Sequence, residues 1–280
     1  MHVRVATEAG SSDTPNEDRV VVGTDLLVVV DGATARTDTG CVHGTAWYSD
    51  HLADAVLRYR HLGPSAALAA GIRRTAQRHS RTCDLDHPGS PSGSVGIVQV
   101  DGDQLRYLVL GDVTVVIDTG AGEFVVVDDR VSRIASTERA AADELPIGSK
   151  GKKAALARMK RAELAARNRA GGYWIAAGDP AVVDQALTGA VPLAGVRRGA
   201  ILTDGAARAV STFALYDWAG VLDLLATAGP HALVNEVRAA ESQDVRGTRW
   251  PRNKTSDDAT VAYFAGFPNE ARRSVGDGGA

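Results

Sequence analysis

The sequence predicts an α+β protein in which sheet is packed by helices on its outer faces, rather than a doubly wound parallel sheet. Three observations carry this. Short runs rich in Val open the chain, and a further series of strand-like runs follows one another across short turns in its middle. Helix-patterned segments come in pairs on either side of that series. A last strand-like run closes the order at residues 260–264. Consecutive strands joined by short turns favour antiparallel pairing, and segregated runs of strands and helices favour layers.

Residues 3–6, 19–23 and 26–30 read as strands because β-branched residues dominate runs punctuated by Gly, Pro and Asp. A loop at 10–16, rich in Ser, Asp and Pro, joins the first two. At 45–60 the apolar residues Ala46, Leu52, Ala53, Val56, Leu57 and Tyr59 recur at close to helical spacing. A second helix is expected over 64–81, with Pro64 in its first turn and Leu68, Ile72 and Ala76 on its buried side. Residues 83–92 contain Pro88, Gly89 and Pro91 and read as loop.

Strands at 94–100 and 104–110 flank Asp101-Gly102-Asp103, where glycine accepts the positive φ that a tight hairpin turn demands. Runs at 113–117 and 123–127 are expected to continue the same meander. Residues 154–166, built of Ala, Leu, Met, Lys, Arg and Glu, favour helix. Strands are expected at 173–176 and 200–203, with a short helix at 180–187 between them. Gly229-Pro230 ends one helix at 214–227 and starts another at 230–241. One domain over 1–265 follows, including a basic flap-like segment around 140–172, and the glycine-containing stretch 266–280 is expected to be a disordered tail.

Of 280 residues 44% are apolar, enough for a well-buried core, and the net charge of -3 gives no global field that would attract nucleic acid or a membrane surface. Charge is nonetheless clustered. Lys150, Lys152, Lys153, Arg158, Lys160, Arg161, Arg167 and Arg169 face the single acid Glu163 in residues 150–169, either as a solvated helix face or as a surface for an acidic segment. Cys41 and Cys83 have neither metal-knuckle nor redox-pair spacing and read as small, partly buried residues. His43, His51 and His79 read as surface or packing histidines on helices, without ligand spacing. No apolar run approaches the ~18 residues of a membrane span. A soluble, cytoplasmic monomer is expected, without a nucleic-acid or membrane partner.

The most informative pattern is a set of acidic motifs at strand ends. Asn16-Glu17-Asp18 precedes one strand, Asp31-Gly32 and Gly111-Asp112 follow others, Asp204-Gly205 follows the run 200–203, and Asp257-Asp258 precedes the last strand. Magnesium and manganese take oxygen ligands, and their charge offsets the repulsion between gathered carboxylates. An Asp-Gly pair alone is most often only a turn. The ordered series is what points to a metal-dependent enzyme.

In order and approximate spacing, Asn16-Glu17-Asp18, Val29-Val30-Asp31-Gly32, Gly93-Ser94, Gly111-Asp112, Thr203-Asp204-Gly205 and Asp257-Asp258-Ala259-Thr260 resemble the protein phosphatase 2C family of metal-dependent serine/threonine phosphatases, in its bacterial form. The resemblance covers residues 1–265. It implies a four-layer α-β-β-α sandwich with two central, mainly antiparallel sheets. It also implies a site for two Mn2+ or Mg2+ ions, with a third possible, that removes phosphate from phosphoserine or phosphothreonine in a phosphoprotein substrate by direct attack of a metal-bridged water.

Carried over by motif, Asp31, Asp204 and Asp257 would be the catalytic metal ligands, joined by the Gly32 carbonyl, Asp18 and, for a third ion, Asp112. Glu17 and Gly205 would support them, and Asp258 would shape the loop. Ser94 opens a strand without a nucleophile elbow and reads as structural.

The chain departs from the family at three points. Asp13 stands where many members place a phosphate-gripping arginine, Val113-Thr114 follow Gly111-Asp112 in place of Ser and Arg, and Ala33 stands where eukaryotic members have a histidine. Another cation must grip phosphate, with Arg4, Arg19 and the basic segment as candidates. The same departures fit a catalytically weak or inactive member that binds a phosphoprotein as a regulator.

Overall fold

The computed structural model describes residues 1–267. From residue 268 on, the expected tail lies outside the described residues.

Two five-stranded antiparallel sheets form the centre. One runs β1(His2–Glu8), β10(Ala259–Ala265), β9(Arg198–Leu202), β6(Thr114–Asp118), β7(Glu123–Val126), and the other β2(Arg19–Val22), β3(Leu26–Gly32), β4(Gly93–Asp101), β5(Gln104–Leu110), β8(Leu187–Pro192). Helices α1(Thr45–Arg58) and α2(Pro64–His79) cover the outer face of the second sheet, while α6(Asp204–Ser211), α7(Trp218–Thr227) and α8(Pro230–Gln243) cover the first. The four-layer α+β sandwich is therefore present.

β3 shows why these layers form. Its alternate residues Leu27 and Val29 point between the sheets and join Val98, Val109, Ile117, Ile201 and Phe264. Leu26, Val28 and Val30 point the other way and meet Tyr48, Leu52, Val56, Leu68 and Ile72 of the two helices. Side chains alternate along a strand, so a strand covered on both faces must be apolar throughout, as residues 26–30 are. On the other side Val116, Leu202 and Val261 pack with Leu222, Leu233 and Val237 of α7 and α8.

The middle strands correct one expectation. β4 and β5 belong to one sheet and β6 and β7 to the other, so the chain changes sheets at Gly111-Asp112 instead of continuing a single meander. Gly111 makes the corner with φ 84°, and a side chain there would strike Ser94. Hydrophobic alternation reports that a strand is covered, but not by which neighbour.

Residues 173–176 form no strand. They make only isolated bridges, Gly93 to Ala176 and Arg167 to Tyr173. The expected helix at 214–227 begins instead at Trp218, where the Asp217 side chain caps Gly220 N, and Ala214 takes φ 50° in the turn before it. The segment at 180–187 is a 3-10 turn, Pro180–Gln185, that leads directly into β8, a strand not expected from sequence. Helices α3(Arg130–Arg133), α4(Ser136–Asp143) and α6 were likewise not legible, being short. The basic segment is α5(Lys150–Ala166), started by Ser149 capping Lys152 N, and its Met159 and Leu156 pack on Ala142 of α4.

Candidate metal centre

Strand register brings the acidic motifs to one edge of the sandwich. Arg19 pairs with Val30, so residues 16–18 lie beside the end of β3, and Asp31 pairs with Ser94 of β4. In the other sheet Leu202 pairs with both Val261 and Thr114. Asp204 after β9, Asp257 before β10 and Asp112 before β6 are thereby set side by side.

The two sheets meet through hydrogen bonds. The Asp204 amide donates to Asp31 Oδ2 at 3.1 Å. Thr203 Oγ1 donates to Asp18 Oδ2 at 2.9 Å and accepts from Thr260 N at 2.9 Å. Ser94 Oγ donates to Asp112 Oδ1 at 2.6 Å. Asp31, Gly32, Asp112, Asp204 and Asp257 line a single cleft of about 520 Å³, and Asp18 lies buried beside it.

Glu17 and Asp258 form the loop behind the cleft. The Asp258 carboxylate accepts from Gly10 N at 2.8 Å and Glu17 N at 2.7 Å, while Glu17 Oε2 accepts from Thr34 Oγ1 at 2.7 Å. Gly205 is small for a reason of packing, since a Cβ there would run into the Asp258 carbonyl oxygen.

Burial and mutual repulsion both act on these acids. Burial first, then the nearby charges of Asp204 and Asp258, pushes Asp18 up to about 8. Asp31 is raised well above the carboxylate range by burial, then by Asp18, Asp204, Asp112 and Asp257. Asp204 is raised by the protein around it and then by Asp257 and Asp112, although its own surface is open to cleft water. Burial likewise raises Glu17. Carboxylates that resist ionising together are the donor set a hard divalent cation relieves, and every side-chain donor in the cluster is oxygen.

Of the four cations around the cleft, Arg36, Arg208 and Lys254 were not singled out by sequence, whereas Lys160 belongs to the basic segment that was. Arg208 bonds Asp257 Oδ2 at 2.7 Å and Glu241 Oε1 at 2.9 Å from a buried position. Lys254 pairs with Asp257 and donates to Thr34 Oγ1 at 2.9 Å. Arg36 and Lys160 line the same cleft, Lys160 coming from the basic helix α5. Arg208 had a signal, lying one helical turn after Asp204, but only for a reader who had recognised α6. Arg4 and Arg19 are engaged elsewhere, Arg4 with the carbonyls of Leu225 and Ala226 and Arg19 with Asp50 at 3.2 Å.

No protein-family profile matches the chain, and no curated protein sequence does. Its fold is shared with solved bacterial serine/threonine phosphatases. PstP/Ppp of Mycobacterium tuberculosis is 14% identical with a TM-score of 0.53, over 94% of this chain and 97% of that one. A PstP catalytic domain in complex with two manganese ions matches with TM-score 0.54 at 14% identity, over 94% of this chain and 96% of that one. PppA, described as a key regulatory component of T6SS in Pseudomonas aeruginosa, matches with TM-score 0.55 at 15% identity, over 95% and 97%. The resemblance drawn from the motifs thus holds at the level of fold.

Proposed function

We propose that this chain is a metal-dependent phosphomonoesterase that acts on phosphoserine and phosphothreonine in proteins. The observation that carries the reading is the convergence of Asp31, Asp112, Asp204 and Asp257, two sheets' worth of strand ends, on one cleft that also presents cations. Asp31, Asp204 and Asp257 with the Gly32 carbonyl and Asp18 would hold two Mn2+ or Mg2+ ions, and Asp112 a third. When bound, such ions lower the pKa of water and offset charge on phosphate during in-line displacement.

The chain's own groups have separable tasks. The Asp204 amide fixes the rotation of the Asp31 carboxylate. Arg208 and Lys254 hold Asp257 from two sides, and Ser94 orients Asp112. Arg36 and Lys160, the latter loosely paired with Glu163 at 4.0 Å, take the place of the missing phosphate arginine, since both line the cleft whereas Arg4 and Arg19 do not. Hydrolysis of p-nitrophenyl phosphate and of a phosphothreonine peptide, with manganese added to metal-stripped protein, tests this. Turnover that needs the metal and vanishes in Asp204→Asn supports it, and a wild-type protein without turnover in either metal defeats it.

A second reading is favoured by the ion pairs themselves. Asp257, with Arg208 and Lys254 already on it, is poorer in free charge than the other acids, and a similar fold occurs in a protein described as regulatory. Calorimetry separates the two, because a regulator would bind manganese or a phosphopeptide without releasing phosphate.

A further inference from the structure

We propose that Cys41, His79 and Cys83 form a second, thiolate-based metal site for zinc, separate from the carboxylate centre. Their donor atoms lie within 4.8 Å of one another. Cys41 Sγ is 3.5 Å from His79 Nδ1. In a tetrahedral zinc site a sulfur and an imidazole nitrogen stand about 3.6 Å apart, and two sulfurs about 3.8 Å, so closure needs roughly 1 Å of side-chain movement at most.

The sequence spacing hides this because its halves are remote. Cys41 sits in the loop between β3 and α1, whereas His79 ends α2 and Cys83 follows one turn later. Backbone bonds set them together. Cys83 N donates to His79 O at 2.9 Å, which curls the chain back over the helix end, and Asp84 N donates to Gly40 O at 2.9 Å, which fastens the two loops.

His79 supplies the second observation. It is 2% exposed, its Nε2 has no hydrogen-bond partner, and its Nδ1 faces only a thiol, a weak donor. A buried imidazole so poorly satisfied is costly, and an ion on Nδ1 would replace its weak thiol contact with a strong bond, the ring proton then standing on Nε2. Burial also holds the ring in the neutral form that ligates. Two thiolates with one imidazole select zinc over magnesium or manganese, so the two centres would not compete for one metal. His43, stacked on Trp47 with ring centroids 4.4 Å apart and with its Nε2 3.1 Å from Thr82 Oγ1, lies outside the three-residue cluster, so the fourth position would be left to water. On binding, the two thiols release their protons to solvent. The ion would pin the loop that follows Asp31-Gly32 to the end of α2.

Cobalt substitution of the full chain is the test. Metal-stripped protein titrated with Co2+ should develop the near-ultraviolet thiolate-to-cobalt charge-transfer band at one equivalent, and zinc should displace it. The band should persist in Asp204→Asn and be lost in Cys41→Ser/Cys83→Ser. Should that double variant fail to fold, the wild type suffices: both thiols should resist alkylation until a chelator removes zinc. Absence of the band in the wild type, its survival in the double variant, or an intact mass showing a Cys41–Cys83 disulfide in freshly purified protein overturns the site.

Discussion

The backbone amide of Asp204 donates to the carboxylate of Asp31 at 3.1 Å, joining two residues from opposite sheets across 173 positions of chain. Asp31 ends a strand of one sheet and Asp204 starts the helix that follows a strand of the other, so the bond registers the two sheets at the edge where the acids gather. Asp31→Asn and Asp204→Asn should each lower manganese-dependent hydrolysis of p-nitrophenyl phosphate by at least about 100-fold, with a far-ultraviolet spectrum like that of the wild type. Wild-type turnover in either variant would remove the metal reading.

Arg208 is the structural counter-charge of the site. It is 6% exposed and shared between Glu241, which is 1% exposed, and Asp257. Arg208→Met should cost about 3 kcal/mol in urea unfolding, because Glu241 keeps a buried charge after one of its two arginine partners is gone. Removing that charge in the double variant Arg208→Met/Glu241→Gln should recover part of the loss, and only part, because Glu241 also pairs with Arg238 at 2.8 Å. No recovery would mean that the cost lies in packing alone.

Stability of the metal-free protein should fall as pH rises. Asp18, ordinarily near 3.8, is pushed up to about 8, first by burial. A folded-state pKa above the unfolded one means that the stabilising contribution of the protonated form is complete below about pH 4 and is lost as pH climbs through about 8. Asp31 and Asp204 act in the same direction. Thermal melts of chelated protein should therefore show a lower Tm at about pH 8 than at about pH 5, and added manganese should raise Tm more at the higher pH. A Tm that is flat or rising over this window would mean that the acids are not in repulsion.

Arg36→Gln and Lys160→Gln should each raise KM for a phosphopeptide by about 10-fold, the size of one lost charge-assisted contact, with little change in melting temperature. Arg19→Gln, whose partner is Asp50 on the surface, serves as the control and should leave KM unchanged. If Arg19 matters and the cleft cations do not, the phosphate is gripped elsewhere.

Gly205→Ala tests how closely α6 is seated on the Asp257-Asp258 loop. The added methyl would run into the Asp258 carbonyl oxygen, so a loss of about 1–3 kcal/mol in stability is expected, together with weaker manganese binding by calorimetry. A variant as stable as the wild type would show that the loop yields freely.

Much of the fold was legible because strand and helix patterns are local. Residues 26–30 announce a strand buried on both faces, and Pro64 with Leu68 and Ile72 announces α2 and its packed side. Misreadings fell where partners are remote. Tyr173 and Ala176 are apolar and strand-like yet lack a neighbour to extend a ladder, and 204–211 is too short for its period to stand out beside its glycine.

By itself the sequence determined which residue types stand at the strand ends, and their order from Asn16 to Thr260. Tertiary structure alone decided that β6 leaves the sheet of β5, that Arg208 and Lys254 neutralise Asp257, and that Cys41 meets His79 and Cys83. Periodicity is written by each residue's near neighbours along the chain. Pairing of sheets and balancing of buried charge depend on groups a hundred or more positions away, whose proximity exists only once the core between the sheets has closed.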